Sequence, residues 1–224
     1  MAKQLPTPGH CLLCSEEVTK RTIKTHVMKV HQVPDGVPRS LLLVDTPYSS
    51  PYWLMLSVDP KATLKSLDDV LRGVWLECCG HLSSFLIDGT EIEMQWDDDA
   101  VVSGKKNSSS RNGSLQSILS PGGSFQYIYD YGSTTELRLK VGVLIRMSDP
   151  GEEITVLGMN NPPAWSCSEC GKPAVCHYNE NDDDTVLCKE CSEDPIIDEC
   201  YLLPITNSPR TGICAYEGGW YDDE

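Results

Sequence analysis

Apolar and polar positions alternate most regularly between Ser124 and Met147. Phe125, Tyr127, Tyr129 and Tyr131 occupy every second position, and past Gly132 the same period returns in Leu137, Leu139, Val141, Val143 and Ile145. A period of two puts each set on a single face, so this stretch predicts an antiparallel hairpin. Bringing the two apolar faces together sets Tyr129 opposite Leu137 and Tyr127 opposite Leu139, around a loop of Gly132, Ser133 and Thr134. The same register sets Asp130 opposite Glu136, with Arg138 on the diagonal to offset the like charges.

Upstream, the unbroken apolar run Tyr52 to Val58 reads as a strand covered on both faces. After Asp59-Pro60, Thr63 caps a predicted helix in which Leu64, Leu67, Val70, Leu71, Val74 and Trp75 recur at helical spacing. Asp68, Asp69 and Arg72 then face water, Gly80 closes the helix, and Phe85 to Ile87 starts a new strand. The polar, Ser/Asn/Gly-rich stretch from Val101 to Gly113 reads as a loop carrying the basic pair Lys105 and Lys106.

Charge is spread unevenly over the 224 residues. Six basic side chains face three acidic ones over residues 1–40, nine face fourteen over 41–150, and three face sixteen over 151–224, for a net charge of −15. Acidic surface repels nucleic acid, so only the first segment has an electrostatic footprint for it. The blocks at 97–99 and 182–184 read as solvated loop charge. No apolar stretch approaches the roughly eighteen residues of a membrane span, and the N-terminus has no signal-peptide core, so a cytoplasmic protein without membrane contact is expected.

Cysteine spacing adds the chemistry. Cys11 and Cys14 are followed by His26 and His31, and Cys167 and Cys170 by Cys188 and Cys191. Each set supplies four thiolate or imidazole donors in two close pairs, the requirement of tetrahedral zinc, so two structural Zn2+ ions are expected. Three modules follow, at 1–36, 48–150 and 160–224, with Cys176, Cys200 and Cys214 left outside any paired spacing. The first module, with Val18 and Ile23 as apolar plugs and a helix from Thr19 to His31, resembles a two-cysteine, two-histidine zinc finger. Its spacer from Cys14 to His26 is eleven residues, one short of the usual finger's roughly twelve. The missing residue falls where a DNA-reading finger places its base contacts, so Lys20, Arg21, Lys24 and Lys29 read either as an ordinary solvated helix face or as phosphate contacts. The four-cysteine module resembles a zinc ribbon, and its apolar, turn-rich tail is expected to fold back.

The central series Leu64, Leu67-Asp68, Leu71-Arg72 and Trp75 through Phe85, with Phe125 to Gly132 after it, resembles the plasmid pRiA4b ORF-3-like family over about residues 50–147. The resemblance implies a small α+β domain, a mixed or antiparallel sheet packed with one main helix, in a plasmid or mobile-element context. Family members carry an Asp-x-Trp step where this chain has Ser133 and Thr135, so an activity tied to that acidic residue is not implied here.

Three readings of function remain. The first is a non-enzymatic zinc-binding adaptor with a protein partner and weak nucleic-acid contact through the finger. The second is a hydrolase or nuclease using Cys79, His81 and Asp130 as nucleophile, base and orienter. The third is a purely protein-binding regulator. Cys78, Cys79 and His81 also offer three donors to a further metal, against a plainer reading in which they pack the helix end.

Overall fold

The computed structural model describes residues 8–48, 50–94, 114–180 and 185–222. The expected loop over 101–113 and the acidic blocks at 97–99 and 182–184 lie outside the described residues. Two compact units divide the chain, Met1–Val70 with Leu82–Asn161, and Leu71–His81 with Pro162–Glu224. The fold is sheet-rich rather than α+β in the expected sense. Among the described residues no helix is long and apolar enough to cross a membrane.

The first unit is built on a nine-stranded sheet. Its strands are β1 (Pro8–Cys11), β2 (Glu17–Thr19), β3 (Gln32–Asp45), β4 (Trp53–Val58), β5 (Ser83–Ile87), β6 (Thr90–Met94), β7 (Ser124–Tyr129), β8 (Thr135–Met147) and β9 (Ile154–Asn160). They lie in the order β2-β1-β9-β4-β3-β8-β7-β5-β6, every neighbouring pair antiparallel. The cysteine knuckle of the first expected module sits on β1, so that module and the central one share a sheet. Gly9 makes this possible: a Cβ there would lie 2.1 Å from the Met159 carbonyl oxygen and 2.4 Å from the Trp53 ring. Helix α1 (Ile23–Val30) then lays Ile23 and Val27 into a cluster with Val18, Leu41, Trp53 and Leu157. The two plugs read from sequence are therefore part of the main core.

The β7–β8 register differs from expectation by two residues. Tyr127 lies opposite Leu137, Phe125 opposite Leu139, and Ile128, not Asp130, opposite Glu136. Because the slip is even, the aromatic face is preserved. Asp130 leaves the strand with a left-handed φ of 62°, and its carboxylate accepts the Gly132 N–H at 2.9 Å. The like-charge pair is thereby avoided.

Strand β8 also serves two faces. Val141 and Leu139 pair with Leu42 and Val44, then a register shift against β3 falls at Gly142. Beyond it, Val143, Ile145 and Met147 join the finger-side cluster with Leu41. One bulged residue reverses the inward set, which strict alternation could not reveal.

Helix α2 (Leu64–Leu71) starts as predicted, with Thr63 Oγ1 accepting the Ser66 N–H at 3.1 Å. Asp68 and Arg72 do not face water. Asp68 accepts hydrogen bonds from Ser83 Oγ and Tyr127 OH, both at 2.7 Å, and is buried. Past Leu71 the chain widens into a π-turn over Arg72–Leu76, closed by the Glu77 N–H on the Arg72 carbonyl, which rotates the following side chains off the α-helical register. Arg72 is buried as a result, donating to the Glu77 carboxylate and to the His81 carbonyl, both at 2.8 Å.

The second unit holds the three-stranded sheet β11-β10-β12, with β10 at Cys176–Tyr178, β11 at Thr185–Leu187 and β12 at Leu202–Pro204, and a short helix α3 (Lys189–Ser192). Its C-terminal stretch does fold back, and it does so onto residues 71–81. Ser208 Oγ donates to the Trp75 carbonyl at 2.6 Å, the Trp220 N–H donates to the Gly73 carbonyl at 2.9 Å, and Arg210 and Tyr216 are wholly buried.

Candidate metal centres

Among the described residues there are three groups of four Cys/His donor atoms, the atoms of each group lying within 4.8 Å of one another. Two are the tetrads read from sequence, Cys11, Cys14, His26 and His31, and Cys167, Cys170, Cys188 and Cys191. The third joins Cys78, Cys79 and His81 to Cys214.

In the first, the β1 end supplies Cys11 and α1 presents His26, with His31 just past its C-terminus. Cys11 Sγ to His31 Nε2, Cys14 Sγ to His26 Nε2, and the two Nε2 atoms are each 3.3 Å apart. Zinc bonds of about 2.3 Å to sulfur and about 2.0 Å to nitrogen give tetrahedral edges of about 3.8 Å for S···S, about 3.5 Å for S···N and about 3.3 Å for N···N. The donors stand close to those edges, so the set fits the ion. Burial and the facing His26 both lower the His31 pKa, favouring the neutral imidazole that a metal requires.

In the second, Cys170 Sγ is 3.6 Å from Cys188 Sγ and 3.7 Å from Cys191 Sγ, again sulfur edges of a tetrahedron. Burial opposes ionisation of Cys167, but N–H groups of Cys188, Cys170 and Glu169 outweigh it and bring the thiol down to about 6. A knuckle that aims N–H groups at sulfur is prepared to hold a thiolate. Here too the donors fit zinc.

In both knuckles the residue after the second cysteine turns left-handed, Ser15 with φ 59° and Gly171 with φ 74°. The N–H of each returns to the carbonyl of the first cysteine, Ser15 to Cys11 at 2.8 Å and Gly171 to Cys167 at 2.9 Å.

The remaining candidates scatter. Arg21, Lys24 and Lys29 are exposed around α1. Lys20 instead reaches Asp45 at 2.6 Å. That carboxylate is fully buried and also accepts from Arg138 at 2.8 Å and Lys140 at 3.1 Å. Burial alone would raise the pKa of Asp45, yet its bonds to Arg138 and Lys20 hold it below the usual carboxylate range. Cys176 donates to the Leu187 carbonyl at 3.7 Å, His177 packs edge-on to Trp165 with ring centroids 5.6 Å apart, and Cys200 is exposed. Cys214 was invisible as a ligand in the sequence, where the only signal was arithmetic: three donors at 78–81 lack a fourth.

No protein-family model matches the chain, and no curated protein matches it. Among solved structures it is similar to the crystal structure of a protein of unknown function, MM3350 from Methanosarcina mazei Go1. Identity is 15% over 60% of this chain and 75% of that one, with a TM-score of 0.41.

Proposed function

We propose that this chain is a zinc-stabilised, non-enzymatic binding protein that meets an anionic partner, a nucleic acid backbone, through the exposed face of α1. The closed donor sets carry this reading. Structural zinc takes four protein ligands, whereas catalytic zinc keeps one position for water, and both terminal tetrads bring four. Arg21, Lys24 and Lys29 supply the cationic face on a chain that is otherwise acidic. The proposal retains the likeness of residues 50–147 to the pRiA4b ORF-3-like family and its mobile-element context.

The enzymatic alternative has weaker support. Asp130, its proposed orienter, turns the β7–β8 connection through Gly132. A hydrogen bond with Cys214, aided by burial and by Cys78, pushes the Cys79 thiol up to about 11, the wrong direction for a nucleophile.

The test has two arms. Cys14→Ser and Cys191→Ser should each lose one zinc by elemental analysis, and unchanged zinc in both variants overturns the structural reading. Duplex DNA binding should be weak, with a slope of log K against log salt no steeper than about −2.7 for three phosphate contacts. Arg21→Glu/Lys24→Glu/Lys29→Glu should abolish it. Lys20 is excluded from this variant because glutamate there would face buried Asp45. Undiminished binding by the triple variant would favour a protein partner instead. The site for one is the cleft of about 290 Å³ whose lining includes Leu13, Val30, Val33 and Met147, of which Leu13 and Val30 are 47% and 57% exposed.

A further inference from the structure

Cys78, Cys79 and His81 belong to the same compact unit as Cys214, although 133 residues separate His81 from Cys214. Cys79 Sγ lies 3.8 Å from Cys214 Sγ, and Cys214 Sγ lies 3.5 Å from His81 Nε2. These match the sulfur–sulfur and sulfur–nitrogen edges of tetrahedral zinc, about 3.8 Å and about 3.5 Å. From these distances we propose a third structural zinc site, Cys78-Cys79-His81-Cys214, that clasps the C-terminal stretch to the segment following α2.

The backbone explains how neighbouring cysteines serve one ion. In regular helix or strand, consecutive side chains diverge by about 100° or more. Here the π-turn ends at Leu76 and Glu77 is extended with φ −69° and ψ 120°. Gly80 then turns left-handed at φ 69°, directly after the second cysteine, as Ser15 and Gly171 do in the other two groups. The loop is fastened from both ends. Glu77 accepts the Gly80 N–H at 2.6 Å and Arg72 at 2.8 Å, while Arg72 also holds the His81 carbonyl.

The fourth donor is held with equal care. Cys214 is itself left-handed at φ 56°, a conformation unfavourable to a non-glycine residue and retained only where the surroundings impose it. Gly212, at φ 72°, lies against the His177 ring so closely that a Cβ there would be 2.6 Å from it. Thr211 Oγ1 is 3.3 Å from His177 Nε2, and Asn179 donates to the Gly212 carbonyl. Strand β10 thus positions the turn that presents Cys214. Three thiolates and one neutral imidazole favour a thiophilic ion such as zinc. Up to three thiol protons would pass to solvent as it binds.

Zinc content of the untagged chain, with Cys214→Ser and the exposed-cysteine control Cys200→Ser, tests the assignment. The parent and the control should hold three equivalents and Cys214→Ser two. Trypsin gives a second readout because Arg210, wholly buried, is the only basic residue after Lys189. Cleavage there should be slow in the parent and at least tenfold faster in Cys214→Ser. Should Cys214→Ser disrupt the whole unit, the cobalt-loaded parent still decides: a third equivalent of tetrahedral cobalt with thiolate charge-transfer absorption supports the site. Two equivalents in the parent together with stoichiometric native-state alkylation of Cys79 and Cys214 would overturn it. A Cys79–Cys214 disulfide in protein purified without reductant would overturn it as well.

Discussion

The two units reach stability by different routes. The first encloses Trp53, Leu54, Leu56, Phe85, Tyr127, Tyr129, Leu137 and Leu139 with at most a trace of exposure, and carries its Cys/His donor group at the β1 end of a continuous sheet. In the second, the ribbon cluster is Cys167, Cys176, Leu187 and Cys188, so that three of the four buried members are thiols. Where apolar area is scarce, ligand bonds take over the role of a core. With zinc bound as proposed, the two cysteine groups would differ in consequence: at the finger the ion would trim one end of a large sheet, and in the ribbon it would hold the sheet itself.

Metal removal should separate the two most strongly. Structural zinc contributes an apparent 10–16 kcal/mol (about that range) in small modules at neutral pH, far above what the ribbon's few apolar contacts supply. Chelation should expose the β10, β11 and β12 amides to fast hydrogen exchange while β3, β4 and β8 stay protected. Equal loss of protection in both units would end the distinction.

Trp53→Ala probes the opposite side. Removing a fully buried indole from the first unit should cost about 3–5 kcal/mol in urea unfolding and leave ribbon protection unchanged.

Asp45 sharpens the comparison, because it gives the first unit an ionic tie of its own between the finger and β8. Asp45→Asn should cost about 1.5–3 kcal/mol, the range for hydrogen bonds to a charged group. Since the folded pKa lies below the unfolded value, this stability is fully present above about pH 4 and disappears as pH falls through the lower folded value. Acid titration of the parent should show that loss, and the variant should lack it.

The smallest effect compares the two knuckles directly. Ser15 occupies the left-handed position that Gly171 fills in the ribbon. Ser15→Gly should tighten zinc at the finger and Gly171→Ser should loosen it at the ribbon, each by about 1 kcal/mol in competition with a chelator. Changes of the same sign would mean that the two turns are not equivalent.

Legibility followed the range of the signal. The finger plugs Val18 and Ile23, the buried strand over Trp53–Val58, the Thr63 cap and the gathering of each terminal donor set were readable because each depends on spacing within a short stretch. The β7–β8 register was not, since Asp130 has to leave the strand to bond Gly132 and a slip of two preserves the apolar face. The bulge at Gly142 and the π-turn after Leu71 each insert a residue into a regular period, which hid the second face of β8 and the burial of Arg72. The antiparallel sheet was legible but its extent, and with it the sheet-rich balance of the fold, was not, because β3, the longest of the described strands, opens with Pro34, Gly36 and Pro38 and gives no alternating pattern. Cys214 could not be assigned because nothing near it repeats its spacing.

The second unit draws residues 71–81 from the middle of the chain and its remainder from residue 162 onward. During synthesis, the 133 residues from Leu82 to Cys214 take on the order of ten seconds to emerge at ordinary elongation rates. Over that interval residues 73–75 are made but the stretch that bonds to their backbone is not, so ribosome-bound chains halted before residue 162 present the apolar run Val74-Trp75-Leu76 without the Ser208 and Trp220 bonds that tie it down. Such nascent chains should recruit a holding chaperone at that segment and release it once the ribbon and its tail are complete.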